Sequence, residues 1–224
     1  MGYLTDEEHT RISQAVAAAE EHTAGEIVTV LADRSDGYSD IALAWASLAS
    51  LLVLGALASF PDFYLGLLEW AFNLWGHEWT PRYIFAVAAI AATAKFAGVY
   101  LLLLWDPLRF LLVPGIVKTR RVHHRAIAHF KVGAERRTHG RTGVLIYLSM
   151  REHRAEIFAD EAIASRVTPE TWGEAMADML REIRHGRIAD GMIAGVRDVG
   201  VVLAEHFPRA EDDQNELPDR LIEV

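Results

Sequence analysis

Between Ile41 and Phe60 the chain runs for about twenty residues without a charge, which as a helix covers roughly 30 Å, the hydrocarbon thickness of a bilayer. Pro61-Asp62 stops this run. A second run, Tyr83 to Trp105, opens after Pro81-Arg82 and closes at Asp106-Pro107, with Tyr83, Tyr100 and Trp105 toward its ends. Breakers and interfacial aromatics at those positions predict two membrane-spanning helices. Lys95 is the one charge inside either run, and at that depth it costs roughly 3 kcal/mol or more unless it snorkels or packs against protein.

Asp62 to Thr80 carries Phe63, Tyr64, Trp70, Phe72, Trp75 and Trp79, with Glu69 and His77 interspersed. Its apolar core is too short to cross, so the segment reads as a helix lying in the interface. Leu108 to Val117 is shorter still and contains Pro114-Gly115, which predicts an interfacial or re-entrant piece. Orientation follows from the basic residues. Arg109, Lys118, Arg120, Arg121, Arg125, Lys131, Arg136, Arg137 and Arg141 follow the second run, whereas the connector offers only Arg82. The positive-inside rule then places the C-terminal region in the cytoplasm, and an even number of crossings places the N-terminal region there too. A basic segment next to a membrane also predicts contact with anionic lipids.

Composition narrows the function classes. The net charge of −9, with cations gathered in one stretch, argues against nucleic-acid binding. The absence of cysteine excludes a disulfide framework, a thiolate metal site and a Cys nucleophile. Met1 to Glu8 is acidic and lacks the basic and apolar regions of a secretory signal, so the N-terminus is expected to be retained.

The flanks read as an α/β domain. Thr5 with Glu8 is a capping-box start for a helix from about Asp6 to Thr23, with Ile12, Val16 and Ala19 at helical spacing. Glu26–Ala32 reads as a strand and Asp33–Gly37 as a loop. Beyond the apolar runs, Arg120–Thr138 reads as a helix stopped near His139-Gly140. Thr142–Ser149 and Arg154–Ala159 read as a hairpin joined by Met150–His153. Thr168-Pro169-Glu170 opens a helix with Trp172, Met176, Met179, Leu180 and Ile183 on its buried stripe, and a last helix runs from about Ile188 to His206. Neither flank can bury its apolar face alone, so the two are expected to share one sheet, with the Glu26–Ala32 strand beside Val144–Ser149. The predicted fold class is α/β: a small mixed sheet covered by helices, interrupted by a two-helix transmembrane insertion. The predicted divisions are residues 1–40 and 119–208 for the two parts of that domain, 41–118 for the hairpin and its connector, and 209–224 for an acidic tail.

Gly25-Glu-Ile-Val-Thr-Val30, Arg141-Thr-Gly-Val-Leu-Ile-Tyr-Leu-Ser149, Glu152-His-Arg-Ala-Glu-Ile157 and Asp190-Gly-Met-Ile-Ala-Gly195 resemble the TPM domain family. That family is named for a thylakoid lumen protein, a photosystem II repair protein and an animal receptor-associated protein. The resemblance covers about residues 3–36 and 120–208, and Asn215-Glu-Leu-Pro218 is similar to bacterial members with inserted apolar spans. It implies an α/β sandwich in a bacterial inner membrane, acid phosphatase activity and calcium binding as in some relatives, and an accessory role in membrane complexes as in others. Where relatives often have a Gly-rich turn leading to an acid, this chain has Ala159-Asp-Glu-Ala-Ile-Ala-Ser165.

Asp33 and Asp36 follow the first strand, and Asp160 with Glu161 follows the third. Converging beyond the sheet, these four carboxylates would suit calcium or magnesium, and such a metal could activate water against a phosphate ester. The plainer reading makes them turn formers and helix caps. The ten histidines include no His-Glu-x-x-His, and no nucleophile elbow, Walker loop or dinucleotide fingerprint occurs. Gly140-Arg-Thr-Gly143 precedes a strand and reads as a turn, not a phosphate cradle. The expected function is therefore a membrane-anchored interaction or accessory module on the cytoplasmic face, bound to lipids and a membrane protein partner. A metal-assisted, acid-phosphatase-like hydrolase is the alternative.

Overall fold

The computed structural model describes residues 2–74, 76, 78–133, 142–209, 217 and 219–224. Trp75, His77, Arg136, Arg137, the helix stop at His139-Gly140, Arg141 and most of the acidic tail lie outside the described residues. The chain divides into two units: residues 1–36 with 115–224, and residues 37–114.

The first unit opens with α1 (Asp6–Glu20), whose capping box is formed: the Thr5 hydroxyl accepts from the Glu8 amide at 3.3 Å, and the Thr5 amide donates to Glu8 at 2.8 Å. β1 (Glu26–Ala32) follows. After the second unit come α6 (Gly115–Gly133), β2 (Gly143–Ser149), β3 (Arg154–Ala159), α7 (Glu161–Ala164), α8 (Pro169–Arg184), α9 (Ile188–His206) and β4 (Ile222–Glu223). The sheet order is β3-β2-β1-β4. β1 lies beside β2, as expected from the inability of either flank to fold alone; the pairing is parallel, in the register Glu26↔Gly143 through Ala32↔Ser149. β2 and β3 are the antiparallel hairpin, and β4 adds in parallel to the other edge of β1.

β1 and β2 are buried along their whole length because helices cover both faces, which explains their nearly continuous apolar sequences. On one face Ile27, Leu31, Val144, Ile146 and Leu148 meet Ile12 and Val16 of α1, Met179 of α8, and Met192, Val196, Val199 and Leu203 of α9. On the other, Val28, Val30, Ala32, Leu145 and Tyr147 meet Val122, Ala126 and Phe130 of α6, with Leu217 closing the layer. The stripe at every fourth residue of α6 keeps one helical face on the sheet.

Three elements differ from expectation. α6 starts at Gly115, earlier than the polar pattern from Arg120 suggests, because Pro114 stands just outside the helix and removes no bond within it. α7 and β4 were not expected; four and two residues are too short to show a period. β4 is held by backbone bonds, Asp33 N–H to Val224 O at 2.9 Å and Val224 N–H to Leu31 O at 3.0 Å, and these do not depend on side-chain pattern.

The second unit contains α2 (Ser39–Ser59), α3 (Pro61–Phe72), α4 (Pro81–Leu102) and α5 (Asp106–Leu112). α2 and α4 are both long and apolar enough to cross a membrane. They run side by side: the Ser50 hydroxyl donates to Ala92 O at 3.0 Å, and small residues, Ala42, Ala46 and Ala92, are the buried positions. Small side chains allow close helix approach where van der Waals contact is the available attraction. The Trp45 indole donates to Leu112 O at 3.2 Å, Tyr38 meets Phe110 edge-on at 5.3 Å, and the Trp79 indole donates to Glu69 at 2.7 Å. The connector is helical over α3, and Lys95 sits on the exposed side of α4.

Candidate functional site

Parallel strands send their C-terminal ends to the same side, and in open α/β sheets that side is where loops gather functional groups. Here β1 and β2 end together at Ala32 and Ser149, and the chain turns away through residues 33–38 and 150–153. The two turns are laced by backbone bonds from Met150 N–H to Ala32 O at 2.9 Å and from Arg151 N–H to Asp33 O at 3.0 Å.

Alternation along β2 points Leu145, Tyr147 and Ser149 to the α6 face. Tyr147 and Ser149 are fully buried, so their hydroxyls need partners. Ser35 supplies them: its hydroxyl lies 3.1 Å from the Tyr147 hydroxyl and 2.9 Å from that of Ser149. Glu152, only 2% exposed, accepts from the Ser35 amide at 3.1 Å and from the Ser149 hydroxyl. The His129 ring of α6 lies 5.6 Å from the Tyr147 ring. Burial pushes the Tyr147 phenol up, while burial and then the charge of Arg125 push His129 down.

Asp33 lies at the rim of this network. Its carboxylate accepts from the Tyr3 hydroxyl at 2.5 Å and from Arg151 Nε at 3.1 Å. The Tyr3 bond, with Arg151 behind it, holds Asp33 below the usual carboxylate range, and the same bond raises the Tyr3 phenol. Asp36 pairs with Arg121 of α6 at 2.7 Å.

Asp160 and Glu161 stand at the other end of the sheet. Asp160 is buried beside Gly143, the first residue of β2: its amide donates to Gly143 O at 2.9 Å, and its carboxylate accepts from the Gly143 amide at 3.4 Å. Glu161 opens α7 and is exposed. Because β3 runs antiparallel to β2, the chain leaves β3 where β2 begins, roughly 20 Å from where β1 ends. The structure therefore brings Asp33 and Asp36 to one end and Asp160 and Glu161 to the other, and the four do not form one shell. The acid that does join Asp33 and Asp36 is Glu152, in the turn after the strand that runs parallel to β1.

That gathering does not suit calcium or magnesium either. Asp33 and Asp36 are paired with arginines and Glu152 is filled by two protein donors, whereas a hard cation needs six or more oxygens directed at it. Among the described residues no group of three or more His, Asp or Glu is placed to hold a metal. Ser149 is not presented as a nucleophile: it is buried, and its hydroxyl already binds Glu152.

Residues 112–202 match the family model of the TPM domain, a stretch running from the end of α5 into α9. No curated protein matches the chain. Among solved structures, the NMR structure of BA42 protein from the psychrophilic bacteria Bizionia argentinensis is similar, with a TM-score of 0.57 at 19% identity, covering 100% of this chain and 97% of that one. At that identity the likeness is one of fold.

Proposed function

Since the chain carries a TPM domain, we propose that this domain works as a membrane-anchored accessory module on the cytoplasmic face, supporting assembly or maintenance of a membrane complex. The observation that carries this reading is the exposure of the two apolar helices. Only 11% of the apolar window of α2 and 6% of that of α4 is buried by protein, whereas the core helix of a water-soluble domain would be mostly covered. Leu51, Leu52, Phe85, Ile90, Leu101 and Leu102 all face outward from them. Lipid is the solvent that suits such a surface, since large apolar patches in water are an aggregation liability.

The sheet end supports an accessory role over hydrolysis, because its acids and hydroxyls are engaged with one another by hydrogen bonds. The basic residues after α4 favour the cytoplasm for both flanks. Alkaline-carbonate extraction of membranes tests the anchor: the full chain is expected in the pellet, and release into the supernatant contradicts it. Affinity purification in mild detergent tests the accessory role. The expected result is one defined membrane protein recovered in several detergents, and recovery of this chain alone in all of them counts against it.

A further inference from the structure

We propose that the outward face of α6 is a docking surface for anionic lipid headgroups, an inference that rests on the membrane-anchored reading above. α6 carries Lys118, Arg120, Arg121, Arg125 and Lys131, three histidines and no Asp or Glu, in a chain whose net charge is −9. At 100° per residue the stripe Val122, Ala126 and Phe130 faces the sheet, which puts Arg120, His124 and Lys131 on the opposite side with Arg125 at its flank. All four are exposed. Two other polar side chains of the helix are spent inside the domain, Arg121 on Asp36 at 2.7 Å and His123 on Glu156 at 3.5 Å. Among the described residues Arg120, Arg125 and Lys131 have no ion-pair partner. Val132, 76% exposed, adds an apolar side chain two turns beyond Arg125.

Chain connectivity and charge together select the occupant. α4 ends at Leu102 and α6 begins at Gly115, thirteen positions on. A helix tethered that closely to a membrane span samples the bilayer surface at high effective concentration, within the reach of its negative potential. Nucleic acid is disfavoured because the exposed face carries no Phe, Tyr or Trp on which a base could stack.

The chain has no cysteine, so single-cysteine reporters are clean. His124→Cys, labelled with an environment-sensitive fluorophore, is compared in the full-length protein reconstituted into phosphatidylcholine vesicles and into vesicles with about a third phosphatidylglycerol. Glu174→Cys on exposed α8 serves as control. The proposal expects a blue shift and shielding from aqueous quencher at position 124 in the phosphatidylglycerol vesicles only. It expects reversal at about 1 M salt, where the screening length falls to ~3 Å, and none of these changes at position 174. Adding Arg120→Gln, Arg125→Gln and Lys131→Gln together should abolish the lipid-dependent shift while leaving carbonate resistance unchanged. Equal signals in the two vesicle types, or equal shifts at positions 124 and 174, overturn the lipid surface and leave the anchor standing. Loss of carbonate resistance in both vesicle types overturns the anchor itself.

Discussion

Glu20 sits at the last turn of α1, 7% exposed, where its carboxyl accepts from the Ile27 amide at 2.7 Å and shares a hydrogen bond with Asp219. Burial first, and then the neighbouring acids Glu26 and Asp219, push its pKa from 4.5 to about 8. Across that window the folded protein holds a proton that the unfolded chain has released, so this group makes stability fall as pH rises from about 4.5 to about 8. Glu20→Gln removes the titration and keeps an acceptor for Ile27. Its thermal transition in detergent should gain about 1–3 kcal/mol at about pH 8 and change little at about pH 5. A variant that tracks the parent at both pH values contradicts this. Glu152→Ala makes the opposite case, leaving the Ser35 amide and the Ser149 hydroxyl without their acceptor, at a cost of about 1–3 kcal/mol in the same transition. A change well under 1 kcal/mol would mean that water satisfies both donors. Glu152 is an acid whose place no sequence pattern reveals. Acids after strands are visible in a sequence, but which acids meet depends on strand direction, and the returning strand of a hairpin delivers Asp160 to the wrong end.

At the scale of elements, the long ones follow from their patterns. β1, β3 and α9 have the bounds that period and breakers suggest, because each spans enough residues for alternation or a helical stripe to be visible. How α8 and α9 approach one another is carried by particular glycines whose packing role periodicity does not reveal. An added Cβ at Gly191 of α9 would come 2.6 Å from Ile183 Cγ1 and 2.8 Å from the Met179 carbonyl of α8. Backbone cannot yield as a side-chain tip can, so Gly191→Ala should destabilise by roughly 1–3 kcal/mol. Gly173→Ala on α8 meets open space and should be neutral or stabilising by about 0.5–1 kcal/mol. Equal effects of the two in thermal unfolding would argue against a close α8–α9 contact.

For the whole molecule, β1 is central to the sheet although it comes from the short N-terminal flank, with β2 on one side and β4 on the other. A chain lacking residues 1–36 would leave β2 with an open edge and strip α1 from the core, so it should be recovered as aggregate where the full chain is monodisperse. Sharing a sheet also requires that both flanks of the apolar hairpin lie on one side of the membrane. Side-specific labelling of single cysteines reads this directly, with Glu7→Cys in α1, Asn73→Cys between α3 and α4, and Glu174→Cys in α8. An impermeant maleimide added to intact cells is expected to label position 73 alone, with positions 7 and 174 reacting only after permeabilisation. Labelling of positions 7 and 174 from opposite faces, or equal labelling of all three before and after permeabilisation, would contradict it.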